Sequence, residues 1–241
     1  MHTFIFDVDN TLTPPRQKIE LENFKFFINF IKKNNVYLVS GSDYDKLLWQ
    51  LSEDILNNVN GVFGCLGNSY HIKNKLIYKN NFAELVYTEL RKDINNFINN
   101  SKTPIVASNH VEERIGMLNI STVGREATIE QRKIYHQFDM QTNERKKFAD
   151  YLSKKYPHLD VSIGGEISID ISVKGYDKSQ ILNHLDKKNN LIFFGDRCDN
   201  GGNDAQIAAA VTKLGGTVYC VADYKKTFKI LEKLVKLENE G

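Results

Sequence analysis

The sequence predicts an α/β protein whose parallel-sheet core is interrupted by an α+β insertion. Apolar strand patterns alternate with helical patterns at both ends of the chain, which is typical of a parallel sheet covered on both faces. Acidic residues directly follow two of these strands. The middle of the chain has short alternating strands that favour an antiparallel sheet. We therefore expect a core formed by residues 1–81 and 177–241, with residues 82–176 inserted as a second domain.

The first part of the core has a regular order of elements. Phe24, Phe27 and Ile31 recur at helical spacing, and Asp43 is suited to cap the helix that follows the second strand. Two prolines exclude regular structure in the loop over 13–16. The elements predicted in this part are a strand over 3–8, a helix over 19–33, a strand over 36–39, a helix after 43, a strand over 61–65, and a hairpin of 69–72 and 76–78.

The insertion mixes helices with short strands. Apolar residues between Phe82 and Ile98 recur at helical spacing and predict a long amphipathic helix. Ile167, Ile169 and Ile171 alternate along one strand and indicate its buried face. The other elements predicted here are strands over 105–107, 111–115, 117–121 and 161–163, and helices near 128–138 and 142–156. The core then resumes with a helix over 177–185, a strand over 191–194, a helix near 203–211, a strand over 217–221 and a helix over 224–237.

Composition excludes several classes of protein. Of 241 residues, 41% are hydrophobic and 26% are charged, which are ordinary globular values. The net charge is +2, and no basic surplus points to nucleic acid or an anionic membrane as the main partner. No apolar run reaches the roughly 20 residues of a membrane span. The three cysteines, Cys65, Cys198 and Cys220, fit no zinc motif and favour a reducing compartment such as the cytoplasm.

Carboxylates gather where two predicted core strands end. Asp7 and Asp9 follow the first strand, and Asp196 follows the strand over 191–194. Ligands of open α/β sheets bind at the carboxyl ends of strands. Close carboxylates repel each other unless they share a proton or a cation, and Mg²⁺ prefers a few carboxylates together with phosphate oxygens. A simple capping turn is the alternative for Asp7 and Asp9. Asp204 could orient a metal-bound water, and helix capping by Asn203 or Asp204 is compatible with that role.

Four short segments resemble, in order, the motifs of the haloacid dehalogenase (HAD) superfamily: Asp7-x-Asp9-x-Thr11, Ser40-Gly41, Lys178, and Gly195-Asp196 with Asn203-Asp204. The resemblance implies phosphoryl transfer through an aspartyl-phosphate on Asp7, with Asp9 as general acid and base. Lys178 would neutralise charge on the transferring phosphoryl group, and either Ser40 or Ser42 would position the oxygens of that group. Asn203 and Asp204 would support the site. The implied cofactor is Mg²⁺, with Asp7, Asp9 and Asp196 as its ligands.

A closer resemblance runs over roughly residues 3 to 220. It is carried by FDVDNTLTPPRQKI, GSDYDK, ERIGMLNISTVGR, SIGGEISIDI, GYDK and FFGDRCDNGGND, which are similar to segments of the eukaryotic-type phosphomannomutases. This resemblance implies a HAD-like Rossmannoid core with a C2b-type cap that closes over it. It implies interconversion of mannose 6-phosphate and mannose 1-phosphate through a hexose 1,6-bisphosphate, supply of GDP-mannose synthesis, and a homodimer formed through the cap.

The arginines are informative because the chain is rich in lysine. Only seven of the 32 basic residues are arginines, and four of the seven lie in the resembling segments: Arg16, Arg114, Arg125 and Arg132. The resemblance implies that these four bind the hexose phosphate, and forked, permanently charged donors suit a dianion. Scattered surface arginines are the alternative. The resemblance also assigns sugar-binding roles to Ser168 and Asp170, and a further one to Asn119.

Two departures from the family keep other functions open. The family's Glu-Asn-Gly after the third strand is replaced here by Cys65-Leu66-Gly67, and no carboxylate stands in Ala208–Val211, where the family holds a second, structural cation. We expect that second cation site to be absent. A sugar-phosphate phosphatase using the same site is the main alternative function. A catalytically inactive relative that acts as a binding protein is another.

Overall fold

A computed structural model describes residues 2–15, 17–80, 84–164, 166–186, 188–199 and 202–240, apart from the side chains of 84–87 and 238–240. The chain divides into two compact units, Met1–Lys79 with Gly175–Gly241, and Asn80–Lys174. These boundaries lie within two residues of the expected ones. No helix in the described ranges is both long enough and apolar enough to cross a membrane.

Eleven strands and eight α-helices are described. The strands are β1 (His2–Phe6), β2 (Asn35–Val39), β3 (Gly61–Gly64), β4 (Ser69–Ile72), β5 (Lys75–Lys79), β6 (Val111–Arg114), β7 (Met117–Ser121), β8 (Leu159–Gly164), β9 (Ser168–Val173), β10 (Asn190–Gly195) and β11 (Thr217–Cys220). The helices are α1 (Leu21–Ile31), α2 (Tyr44–Leu51), α3 (Glu53–Asn58), α4 (Glu84–Asn100), α5 (Ile129–Thr142), α6 (Glu144–Lys155), α7 (Ala205–Lys213) and α8 (Tyr224–Glu240).

The first unit contains a seven-stranded sheet in the order β11-β10-β1-β2-β3-β4-β5. The first five strands in this order are parallel, and the β4–β5 hairpin extends the sheet in antiparallel fashion. Phe4, Ile5 and Phe6 of β1 are all buried because both faces of the sheet are covered. The carboxyl ends of β10, β1 and β2 lie side by side, so the loops that follow them meet at one edge.

Two helical predictions in the first unit are refined by backbone geometry. Asp43 caps α2 by accepting a hydrogen bond from the main-chain N–H of Lys46 at 2.8 Å, as predicted. The helix does not continue, because Ser52 has a φ of 75° and separates α2 from α3. The predicted helix over 177–185 is a 3-10 helix, Lys178–His184.

The second unit contains an antiparallel sheet in the order β6-β7-β9-β8. One face is apolar, and it packs against α4 and α6 in a cluster that includes Leu118, Ile120, Ile169, Ile171, Leu90, Ile94, Phe148 and Leu152. The predicted alternation of isoleucines along β9 is therefore confirmed. The opposite face is polar and places Glu112 opposite Asn119, Asn119 opposite Asp170, and Ser121 opposite Ser168.

The predicted strand over 105–107 is wrong. Ala107 donates its main-chain N–H to the carbonyl of Val123 at 2.7 Å, but no strand forms there. Pro104 has no N–H to donate, and Asn109 has a φ of 60°, so extended pairing is interrupted on both sides. The apolar pattern reflected burial of this loop against a small cluster around Val123 and Tyr135.

Candidate active site

Asp7 stands just beyond the end of β1 and is almost fully buried, with 4% of its surface exposed. Its main-chain N–H donates to the carbonyl of Phe194 on the neighbouring strand at 2.9 Å, which holds the residue in the sheet. Oδ1 lies 2.5 Å from Nζ of Lys178, and Oδ2 accepts a hydrogen bond from the hydroxyl of Thr11 at 3.3 Å. The two Oδ atoms of Asp7 are thus oriented by separate donors.

Lys178 joins Asp7 to a second carboxylate. Its ammonium lies 2.6 Å from Oδ1 of Asp204, and the side chains of Lys178 and Asp204 are fully buried. Oδ2 of Asp204 accepts the main-chain N–H of Arg197 at 3.1 Å. A Cβ at Gly195 would come within 2.7 Å of the same oxygen, so only glycine permits this approach.

Burial and charge shift the pKa values of this pair. Burial, with a smaller contribution from the Asp204 charge, raises the pKa of the Asp7 carboxyl to about 7 against the opposing effect of Lys178. Burial alone would lower the pKa of Lys178, but the two carboxylates outweigh it and raise that pKa. Two buried carboxylates therefore share one ammonium, and the site retains excess negative charge.

Three carboxylates could hold a cation. Ligand oxygens of Asp7, Asp196 and Asp204 lie within 4.8 Å of one another. A set of oxygen donors with excess negative charge fits Mg²⁺. The carboxylate of Asp9, which the resemblance places among the ligands, is not part of this group. Its oxygens are bonded elsewhere, so a metal contact from Asp9 would need its main-chain oxygen or a turn of its side chain.

The Asp9 carboxylate is held by two side chains of α2 and by Ser42. Oδ1 accepts a hydrogen bond from the amide of Gln50 at 2.8 Å. Oδ2 lies 3.1 Å from Nζ of Lys46 and 3.4 Å from the hydroxyl of Ser42. The ammonium of Lys46 also bonds to the Ser42 hydroxyl at 2.8 Å. Both carboxylate oxygens of Asp9 are therefore bound by donors other than Lys178.

The loop after β2 forms another wall of the site. Ser40 is buried, and its hydroxyl accepts the main-chain N–H of Ser42 at 3.1 Å. The site opens into a cavity of about 390 Å³, whose lining includes Asp7, Asp9, Ser40, Ser42, Asp196 and Asn203. The first unit therefore brings three of the predicted acids, both candidate serines and Asn203 together around one space, whereas Asp204 and Lys178 are not among its lining.

Four of the predicted sugar-phosphate residues lie on or beside the polar sheet face of the second unit. Nη1 of Arg125 donates to the hydroxyl of Ser168 at 2.9 Å. The Asn119 amide donates to the carboxylate of Asp170. Oδ1 of Asn119 is buried and has no hydrogen-bond partner within the described residues. This buried oxygen is therefore an unused acceptor on the polar face.

The other predicted arginines differ in their surroundings. Nη2 of Arg114 lies 2.7 Å from Oε2 of Glu112, and the Arg114 side chain is partly exposed. Arg132 donates to the main-chain carbonyls of Ala127 at 2.9 Å and Arg125 at 2.8 Å, so it holds the loop that carries Arg125. Arg16 lies outside the described residues.

Comparison with known sequences identifies the family. The family model described as eukaryotic phosphomannomutase matches residues 23–237. The chain belongs to the eukaryotic phosphomannomutase family. Among curated phosphomannomutases, that of Glycine max is 36% identical over 233 residues, which cover 94% of each chain. That of Dendrobium officinale is 34% identical and covers 94% of this chain and 92% of its own.

Solved structures support the fold of this phosphomannomutase-family chain. A haloacid dehalogenase-like hydrolase from Bacteroides thetaiotaomicron superposes with a TM-score of 0.63 at 13% identity, covering 96% of this chain and 98% of its own. A trehalose-6-phosphate phosphatase related protein gives a TM-score of 0.58 at 16% identity, covering 99% of both chains. At such identities the likeness concerns the fold, which is HAD-like as predicted.

Three residues of the site were missed by sequence reasoning about this family. Asn10 donates its amide to Asp196 at 3.0 Å and to the carbonyl of Ala222 at 3.2 Å, with a φ of 61° that asparagine tolerates. The other two are Lys46 and Gln50. A detectable signal existed for Gln50, because it is a polar residue at a buried position of an amphipathic helix.

Proposed function

We propose that this chain is a phosphomannomutase that interconverts mannose 6-phosphate and mannose 1-phosphate. The observation that carries the proposal is the buried Asp7–Lys178 pair together with a second acid, Asp9. Asp9 lies two residues further along the chain, and its carboxylate is held by a different donor, the amide of Gln50. The family membership and the curated relatives at 33–36% identity support this choice of reaction. The proposed enzyme is an isomerase that works by phosphoryl transfer.

In this proposal Asp7 is the nucleophile. A carboxylate oxygen of Asp7 attacks one phosphorus of a hexose 1,6-bisphosphate, the bond from that phosphorus to the sugar oxygen breaks, and an aspartyl-phosphate and a hexose monophosphate form. Asp9 gives a proton to the departing sugar oxygen. In the reverse sense, Asp9 takes the proton from the accepting hydroxyl, and that oxygen attacks the aspartyl-phosphate. A hexose 1,6-bisphosphate is therefore the proposed intermediate and activator.

The charges around Asp7 serve the transfer. We assign Lys178 to the neutralisation of charge on the transferring group, and Ser40 or Ser42 to the positioning of its oxygens. Mg²⁺, proposed to bind Asp7, Asp196 and, through its main-chain oxygen, Asp9, would supply electrophilic stabilisation of the phosphoryl oxygens when bound. Asn203 and Asp204 support this site, and Asp204 does so by sharing Lys178.

The phosphate that is not transferred is assigned to arginines of the second unit. Arg125 and Arg114 are the proposed donors, because both carry forked guanidinium groups beside the polar face of the sheet. Ser168, Asp170 and Asn119 are assigned to sugar hydroxyls. Arg132 contributes by holding the Arg125 loop, and Arg16 keeps its proposed role from sequence alone.

We also propose a cytoplasmic homodimer that uses the second unit. Large apolar side chains of that unit are exposed, among them Ile129 at 76% and Met140 at 68%. Such side chains are suited to a protein interface when they form a patch. Light scattering after size-exclusion chromatography tests this: a mass of twice 27.7 kDa is expected, and a mass of one chain contradicts it.

A coupled assay tests the proposed reaction against the phosphatase alternative. Mannose 1-phosphate is supplied with and without a catalytic amount of hexose 1,6-bisphosphate, and mannose 6-phosphate and free phosphate are measured together. We expect mannose 6-phosphate to form in excess over free phosphate, and the bisphosphate to accelerate it. Release of phosphate without isomerisation would show a phosphatase. Asp7→Asn should abolish turnover, whereas Asp54→Asn, at an exposed position of α3, should not change it.

A further inference from the structure

One carboxylate joins two arginines beside the polar face of the second unit. Oε2 of Glu112 lies 2.7 Å from Nη2 of Arg114 and 3.0 Å from Nε of Arg125. Nη1 of the same Arg125 guanidinium group donates to the hydroxyl of Ser168 at 2.9 Å. Glu112 therefore acts on both guanidinium groups that the proposed function assigns to a phosphate.

Glu112 remains charged in this position. The hydrogen bond from Arg114 lowers the pKa of the Glu112 carboxyl despite partial burial, and Arg125 lowers it further. The Glu112 side chain is 38% exposed, and ion pairs at such exposure contribute little to stability. The main consequence of Glu112 therefore falls on any other anion that the two arginines bind.

We propose that Glu112 is a counter-ion that limits the affinity of Arg114 and Arg125 for a phosphate group. This inference rests on the proposed function. A phosphate that approaches the two guanidinium groups meets a negative charge already at hydrogen-bond distance, and like charges at such separations repel. The resident carboxylate keeps the two arginines together while it reduces the net positive charge that the phosphate meets.

A limit on the affinity for phosphate is suited to the reaction cycle of a mutase. Its bisphosphate intermediate must leave one orientation and bind again in the other before the second transfer. Arginines without a counter-ion would bind the intermediate more tightly in both orientations, and tight binding of an intermediate does not accelerate the steps that follow. Glu112 thus sets the balance between affinity and turnover rather than taking part in the chemistry.

The test compares two charge removals at neighbouring positions. Glu112→Gln keeps the shape of the side chain and removes its charge, and Glu113→Gln removes the same charge at an exposed position one residue away. Calorimetric titration of the full chain with mannose 1-phosphate is expected to show about tenfold tighter binding for Glu112→Gln. For Glu113→Gln we expect a change below about twofold. In Glu112→Gln, both KM and kcat should fall.

Two further variants make the result decisive. Glu112→Asp keeps the charge and should not tighten binding. In an Arg125→Met background the tightening caused by Glu112→Gln should be lost or strongly reduced. Unchanged or weaker binding by Glu112→Gln, or tightening by Glu112→Asp, would overturn the inference. A chain that binds mannose 1-phosphate without isomerising it would contradict the proposed function and leave this comparison of affinities valid.

Discussion

Nζ of Lys178 lies 2.5 Å from Oδ1 of Asp7, and the lysine side chain is completely buried. The same ammonium lies 2.6 Å from Asp204, so one cation serves two buried carboxylates. Burying charges costs free energy unless each is paired. The arrangement is thus suited to a site whose remaining negative charge is balanced by a bound ion.

The first prediction concerns Lys178. Lys178→Met leaves Asp7 and Asp204 without their shared partner, and removal of one member of a buried ion pair typically costs about 3–5 kcal/mol. We expect a lower free energy of unfolding in urea and loss of isomerase activity. Lys229→Met, at an exposed position of α8, is the matched control and should change neither quantity. A stable and active Lys178→Met enzyme would refute the assigned role.

The second prediction concerns the donor to Asp9. Gln50→Leu removes the hydrogen bond at 2.8 Å from the acid that transfers protons. We expect kcat to fall by roughly ten- to a hundredfold, since general acid–base catalysis contributes about 10²–10⁴-fold in total. KM should change little, because Gln50 is not assigned a substrate contact. Equal losses in kcat and substrate affinity would indicate that Gln50 shapes the cavity instead.

The convergence of Asp7, Asp196 and Ser40 was predictable from the sequence. Each follows an apolar strand of a parallel sheet, and the carboxyl ends of neighbouring strands meet at one edge. The alternation along β9 was equally clear, because a sheet with one buried face requires it. In these cases a local pattern has one structural consequence.

Other features depend on contacts that are distant in sequence. Lys178 is one of many lysines, and only the family resemblance singled it out; its burial follows from its pairing with Asp7, 171 residues away. The break between α2 and α3 occurs at Ser52, where no Gly or Pro in the sequence indicates that a helix ends. The loop over 105–107 resembles a strand in composition, but its neighbours cannot continue the pairing. Residue types alone do not determine such tertiary contacts.

The third prediction distinguishes the role of the left-handed backbone at Asn10 from the role of its side-chain amide. Asn10→Gly keeps the left-handed backbone but removes the amide that bonds to Asp196 at 3.0 Å. We expect near-normal stability and a Mg²⁺ activation constant raised by roughly ten- to a hundredfold, as for other partners of metal ligands. Asn10→Ala loses the same bond and adds about 1 kcal/mol of backbone strain. If Mg²⁺ dependence is unchanged in Asn10→Gly, Asn10 does not orient the ligand.

The fourth prediction compares two arginines with different contacts. Arg125→Lys loses the fork that reaches Ser168 and Glu112, so we expect KM for mannose 1-phosphate to rise by at least about tenfold. Arg132→Lys loses two bonds to main-chain carbonyls and should raise KM through a displaced loop, with a lower melting temperature as well. Arg91→Lys, at an exposed position of α4, serves as control. Unchanged KM and kcat in both Arg125→Lys and Arg132→Lys would contradict the phosphate role.

Identification of the phosphorylated residue decides whether Asp7 is the nucleophile. The enzyme is mixed with hexose 1,6-bisphosphate, acid-quenched within one turnover, and treated with borohydride, which reduces an acyl phosphate on aspartate to homoserine. Peptide mass spectrometry then locates the modified position. We expect homoserine at position 7, and none there in Asp7→Asn. Isomerisation that proceeds with no modification of Asp7, or with the phosphoryl group on another residue, would contradict this expectation.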